Sequence, residues 1–467
     1  AYHADMNFTM IRNWVGQIGD KEFYEACDRH GIMVWQDFWL ANPVDGPNPY
    51  YTEMFNANAC DYLKRIRNHP SIGIYVGRNE GNPPAGIDDY LRGLVFREHP
   101  GLYYISNSAM GVVSGGGPYR ALSPKSYFQS YGHDKFHSER GMPNVMNYES
   151  MLLTFGTDKI EPVNTSETPN PVYGLHDYTL GGGKGSSAQA ASSFNDMIEK
   201  AFGRPRDAKQ FAEWAQWINY DGYRAIFEGR SEHRRGMLLW MSHSAWPSMV
   251  WQTYDYYFDP NAAYFGCKKA SEPLHIQWNP LRDDIEVVNY HAFDRTGLTA
   301  TASLFNQDGT LQWTRETKLD IKEDQTVACF PLEQPETLSD TYFIKLSLTD
   351  SDGKQLSDNF YWRGKEDGNY KSLLQLPKVS VCKNVTVKKT GKEWLIRAVL
   401  KNEARTPALM LRLKVAGEKS GRMLLPVFYS DNYFSLLPGE VKEVDIRLYD
   451  ADTYGEKPVL EVLGFNL

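Results

Sequence analysis

The pattern of the chain changes near residue 272, and that break constrains the fold more than any other feature. Up to it, short apolar strands alternate with helical segments. After Pro273, stretches of five to eight residues alternate polar and apolar between turn signals such as Asn306-Gln-Asp-Gly309, Asp350-Ser-Asp-Gly353 and Pro438-Gly439. The first pattern is that of a parallel α/β domain. The second is that of antiparallel β-sandwiches.

In the first part, strands are predicted at 8–14, 32–39, 72–77, 102–106, 127–131, 135–139 and 236–241. Helices are predicted at 21–30, with Asp20 as N-cap and Gly31 as stop, and at 57–68, 87–98, 187–202, 207–227 and 261–271. The 207–227 helix sets Phe211, Trp214, Ala215, Ile218, Ala225 and Ile226 on one face. About seven strands alternating with helices suit a (β/α)8 TIM barrel lacking its first strand. The chain is thus expected to be multidomain: a barrel over 1–272, then two immunoglobulin-like β-sandwich domains over 273–366 and 371–467. It opens on Ala1 as if on the tail of a helix, so a truncated chain is expected.

Composition removes several classes. A net charge of −8 argues against a polyphosphate partner or an anionic membrane surface. No apolar run is long enough to cross a membrane. Cys27, Cys60, Cys267, Cys329 and Cys382 lack the spacing of a zinc site or a disulfide framework. The 12 Trp and 29 Tyr are an excess that fills cores and also suits flat, amphipathic sugar rings.

In a barrel the active site lies at the C-terminal ends of the strands. The 72–77 strand runs into Arg78-Asn79-Glu80, and the 135–139 strand ends in Glu139. Two carboxylates at one mouth are what glycoside hydrolysis requires: one protonates the leaving oxygen, the other attacks the anomeric carbon or activates water.

The motifs around them run in order over residues 10–257. They are Met10-Ile-Arg12-Asn-Trp14, Gly31-Ile-Met-Val-Trp-Gln-Asp-Phe38, Arg67-Asn-His-Pro-Ser71, Gly77-Arg-Asn-Glu80, Gly117-Pro-Tyr119, His137-Ser-Glu139, Trp246-Pro247 and Asp255-Tyr-Tyr257. Together they resemble the retaining enzymes of glycoside hydrolase family 2, the β-galactosidase/β-mannosidase family. The nearest branch is that of the β-mannosidases, endo-β-mannosidases and exo-β-glucosaminidases. The resemblance implies that N-terminal domains of the same protein, absent from this chain, pack on the barrel.

It also implies roles. Glu80 would be the acid/base, in an apolar, Trp-lined setting expected to raise its pKa. Glu139 would be the nucleophile, kept ionised with help from Arg12. Asn79 would hold the sugar 2-OH, and no metal or organic cofactor is implied. Other candidate substrate contacts carry a bland reading beside the functional one. Arg12 could be an ion-pair partner in the barrel. Trp14 and Trp240 could be core, as Trp35 is expected to be. Asp37 could bind a hydroxyl or orient its neighbours. Trp246 is expected to be a sugar platform, and Tyr119 a side chain reaching the site. His243-Ser244 departs from the branch, where β-mannosidases carry an amide followed by Asp.

β-Mannosides are the expected substrate, with exo-β-D-glucosaminidase or β-galactosidase-type activity as alternatives. A reading of another class is a non-catalytic carbohydrate-binding module, or an inactive fragment of the parent enzyme. By the resemblance the protein would be extracellular, periplasmic or lysosomal. Glu149 and Glu228 are expected to be solvated. The glycine run 181–185 lacks phosphate-loop spacing.

Overall fold

The computed structural model describes every residue except 45, 131–134, 166–167, 169, 177–187, 233–234 and 250, and the side chains of 188–193. The glycine run 181–185 and the start of the helix predicted from 187 therefore lie outside the described residues. The chain divides into two compact units. The first comprises Ala1–Pro118, Gly132–Gly141 and His233–Trp240, and the second comprises the remainder.

The first unit begins with a helical turn α1 (Tyr2–Asp5) and continues β1 (Met10–Asn13), α2 (Lys21–His30), β2 (Met33–Asp37), α3 (Thr52–Ile66), β3 (Ile72–Arg78), α4 (Ala85–Glu98) and β4 (Tyr103–Asn107). The short strands β5 (Val113–Ser114), β6 (Phe136–Arg140) and β7 (Met237–Leu239) complete it. All pairings are parallel, in two sheets of order β1-β2-β3-β4 and β5-β6-β7. Trp35, Val76, Val113 and Leu238 form a buried cluster, and Met10, Ile74, Ile105 and Phe136 pack on it. Every strand thus contributes to one apolar interior. The other faces of β2 and β3 are covered by Tyr24 and Cys27 of α2, Leu63 of α3 and Leu91 of α4. Fully burying a leucine contributes about 1.5–3 kcal/mol, so this outer layer holds the strands in place. Helix α2 has the predicted bounds because Gly31 adopts φ 66°, a left-handed stop that other residues adopt only with strain. Asp20 sits at its N-cap without a side-chain capping hydrogen bond.

The second unit contains α5 (Pro124–Gln129), α6 (Tyr148–Phe155), α7 (Pro171–His176), α8 (Ala188–Phe202), α9 (Ala208–Glu228) and α10 (Ala262–Ala270). The strand expected at 127–131 is a correction: its described residues lie in or just after α5, where Ser123 caps the helix by accepting from the Ser126 N–H and Pro124 stands at the first turn. Helix α9 is buried nearly all round, rather than on one face.

The β region has two pairs of sheets. β8 (Leu274–Asn279), β9 (Asp284–Asn289) and β12 (Gln325–Pro331) form one sheet. β10 (Arg295–Asn306), β11 (Leu311–Ile321), β13 (Thr341–Thr349) and β14 (Gln355–Gly364) form another. Ile276, Val287, Leu304 and Leu346 from these two sheets share one core. β15 (Val381–Thr390), β16 (Glu393–Asn402), β18 (Phe428–Tyr429) and β20 (Val441–Tyr449) form a third sheet, and β17 (Ala408–Gly417), β19 (Phe434–Leu436) and β21 (Pro458–Leu463) a fourth. All their pairings are antiparallel.

Candidate active site

Parallel strands place their C-terminal residues at one end of a sheet, and Arg12 shows which side chains meet there. Its Nη1 donates to Glu139 Oε1 at 2.5 Å. Its Nη2 donates to Asp37 Oδ2 at 2.8 Å and to Asn79 Oδ1 at 2.7 Å, and Nε donates to Asp37 Oδ2 at 3.0 Å. One guanidinium therefore joins residues from β1, β2 and β6 with Asn79, the residue after β3. Its side chain is 5 % exposed. Burial works against its charge, but Asp37 and then Glu139 outweigh burial and hold its pKa above the ordinary value.

Asp37 is fully buried, and its oxygens are occupied. Oδ2 also accepts from the Val15 N–H at 3.1 Å, and Oδ1 accepts from the Trp35 indole N–H at 2.7 Å. The Arg12 carbon lies 5.6 Å over the Trp35 ring. Trp35 is part of the interior cluster, as expected, and it also fixes Asp37.

Asn79 and Glu80 follow β3 in a turn, with Glu80 at φ 46°. This is a left-handed conformation, costly for a residue with a side chain. Ser108 holds the turn: its Oγ donates to Asn79 Oδ1 at 3.2 Å and accepts from the Glu80 N–H at 2.9 Å. Ser108 was missed in the sequence, although its position just after β4 is the kind the strand-end rule inspects. The Glu80 carboxyl lies beside the turn after β5, since a Cβ on Gly116 would sit 4.0 Å from its Oε1. Gly116 has φ 83°, so the turn both needs glycine and leaves room there.

Trp14 and Trp240 pack edge to face with ring centroids 5.0 Å apart. The Trp14 indole N–H is buried without an acceptor among the described residues. Gly141 lets Trp240 approach, because a Cβ there would run into the Trp240 carbonyl oxygen.

The structure thus gathers Arg12, Asp37, Asn79 and Glu139 directly, with Glu80 next to Asn79. Tyr119, His243 and Trp246 belong to the second unit. There Tyr119 lies 5.9 Å from Trp251. His243 stacks on Tyr254 at 4.7 Å, and burial lowers its pKa. Trp246 is 46 % exposed and stacks on His176 at 5.9 Å.

Glu149 and Glu228 are corrections. Glu149 pairs with Arg412 at 2.8 Å and Lys414 at 3.1 Å. Burial works against its charge, but these cations outweigh it and bring the pKa down to about 2. Glu228 is 3 % exposed and accepts from Asn359 and Tyr361, both at 2.8 Å. Both helices pack against β strands, a tertiary fact that local sequence does not carry.

Residues 359–467 match the Ig-fold domain of exo-β-D-glucosaminidases. Over its whole length the chain is 26 % identical to a mannosylglycoprotein endo-β-mannosidase of Lilium longiflorum and 28 % identical to an exo-β-D-glucosaminidase of Streptomyces avermitilis. It covers 60 % and 56 % of those proteins. The crystal structure of an Amycolatopsis orientalis exo-chitosanase superposes on all of the chain with a TM-score of 0.88 at 24 % identity, the chain covering 60 % of it. A Dictyoglomus thermophilum β-D-mannosidase gives 0.76 at 20 %, over all of this chain and 57 % of its own, so the fold is shared with both. The resemblance to the mannosidase–glucosaminidase branch of glycoside hydrolase family 2 holds across the chain.

Proposed function

We propose that the chain carries the catalytic centre of a retaining β-glycosidase, with β-mannosides as the leading substrate. The observation that carries this reading is the Arg12 guanidinium shared by Glu139, Asp37 and Asn79 at the ends of parallel strands. In this reading the seven strands belong to a (β/α)8 barrel over 1–272, followed by two immunoglobulin-like sandwiches over 273–366 and 371–467.

Glu139 attacks the anomeric carbon as a carboxylate while Glu80 gives its proton to the leaving oxygen. The glycosidic C–O bond breaks, and a glycosyl ester forms on Glu139. Glu80, now a carboxylate, takes a proton from water, which displaces Glu139 with net retention. Arg12 favours the ionised nucleophile through a charge-assisted hydrogen bond. Asp37, already saturated with donors, orients Arg12 instead of binding sugar. Asn79 and the free indole N–H of Trp14 supply polar contacts to the sugar. From the resemblance alone, Trp240, Tyr119, His243 and Trp246 stay as candidate sugar contacts, and an exported or lysosomal location is inferred.

Exo-β-D-glucosaminidase is the second reading, favoured by the domain match over 359–467. Glu at position 80 favours mannoside, because the glucosaminidase branch tends to carry Asp as acid/base. The full-length protein assayed on aryl β-mannoside, β-glucosaminide, β-galactoside and β-glucuronide separates these readings. Hydrolysis of none of the four contradicts the glycosidase assignment.

A further inference from the structure

Arg78, the last residue of β3, is 3 % exposed. Its Nε donates to Ala41 O at 2.7 Å, Nη1 to Asn48 Oδ1 at 2.6 Å, and Nη2 to Gly46 O at 3.2 Å. All three acceptors are neutral. A guanidinium has five N–H groups, so one on each terminal nitrogen remains. Among the described residues no carboxylate pairs with it. Arg12 is the contrast: there two acids offset burial, whereas at Arg78 burial alone acts and lowers the pKa. A buried cation without a counter-ion is costly, and the cost disappears when an anion binds.

Arg78 lines a cleft of about 450 Å³. Pro43, Pro47, Pro83 and Pro84 wall it, and Asn48 and Asn82 add amides. These residues lie in the segments that follow β2 and β3, on the side from which Asn79 and Glu80 emerge. Proline fixes φ at these four positions, which limits how far the walls can rearrange.

We propose that this cleft is an anion subsite, in which Arg78 receives a carboxylate or sulfate group carried by the glycan. The remaining guanidinium N–H groups bind the anion's oxygens, and the Asn82 amide supplies a further polar contact. That the anion belongs to a glycan rests on the proposed function; anion binding itself does not.

The test is titration of the purified chain at low ionic strength with inorganic sulfate and with methyl β-D-glucuronide, followed by calorimetry. The wild type is expected to bind at least one of them at one site per chain, and the two probes distinguish sulfate from carboxylate. Arg78→Met is expected to abolish binding. Because that variant removes a buried side chain, Asn48→Asp is the decisive one. It places a carboxylate where Arg78 already touches an amide oxygen, so it is expected to keep the fold and weaken binding at least tenfold. Undiminished binding in Asn48→Asp overturns the proposal. So does absence of binding in the wild type. Anion binding by a protein that hydrolyses no β-glycoside supports the subsite and removes the glycosidase reading. Hydrolysis without anion binding does the reverse.

Discussion

Arg12 and Glu139 meet at 2.5 Å, and the guanidinium that touches Glu139 is itself gripped by Asp37 at 2.8 Å. The placement of the proposed nucleophile on β6 therefore depends on a buried acid at the end of β2. Arg12→Met leaves Asp37 as an uncompensated buried charge, a change that costs about 3–5 kcal/mol. Arg12→Lys keeps the charge but cannot span Asp37, Asn79 and Glu139 with one planar group. Both are expected to lower kcat/KM at least 100-fold, an order set by losing an oriented charge-assisted contact. Thermal unfolding separates them: Arg12→Met loses more stability than Arg12→Lys.

The two glutamates should fail differently. Replacing a general acid or base typically costs roughly 10²–10⁴-fold. Glu80→Gln should show that loss on glycosides of poor leaving groups and less of it on aryl glycosides whose phenolate departs unaided. Glu139→Gln should be inactive on both. Kinetics with a series of phenols of differing pKa check this, and equal losses across the series contradict the assignment of Glu80 as acid.

Asp255 in the second unit makes stability depend on pH. Its carboxylate accepts from the backbone N–H groups of Tyr257 and Asp259 at 2.9 and 3.1 Å. Burial first, then the neighbouring Asp259, push its pKa up to about 7. An acid whose folded pKa exceeds its unfolded value stabilises the fold below the unfolded pKa and loses that contribution as pH rises through the folded one. Stability should therefore fall between about pH 4 and pH 7, since a free aspartate titrates near 3.9. Glu149, held at about 2, titrates below this window. Asp255→Asn should flatten the slope and raise the unfolding temperature at pH 8, by on the order of 1 kcal/mol in stability. An unchanged slope contradicts the account.

Asp221 on α9 accepts from Arg224 at 2.7 Å and from Arg363 of β14 at 3.0 Å. Asp221→Ala strands two buried cations and should cost about 3–5 kcal/mol. Urea unfolding should show a lower midpoint at an unchanged slope.

Sequence legibility followed the range of the forces involved. Helix α2 was readable to the residue, because a left-handed glycine ends it locally. The 127–131 strand was misread because aromatic residues favour strands, whereas the Ser123-Pro124 cap decides for helix. The short strand β5 carries no period long enough to detect. In the candidate site, Glu80 and Glu139 are nominated by strand-end position alone. The pairing of Arg12 with Asp37 spans 25 positions and the pairing with Glu139 spans 127, and no local pattern encodes either. Glu228 looked like an exposed helix end because its partners, Asn359 and Tyr361, come from β14.

The central claim is tested most directly by trapping the intermediate. The full-length protein is incubated with a 2-deoxy-2-fluoro-β-mannosyl fluoride, or the corresponding derivative of its best substrate, and digested for mass spectrometry. The account predicts one glycosyl adduct, on the peptide containing Glu139, formed as activity disappears and absent in Glu139→Gln. Inactivation with the adduct on another residue, or an α-anomer as first product from a β-glycoside, would contradict it.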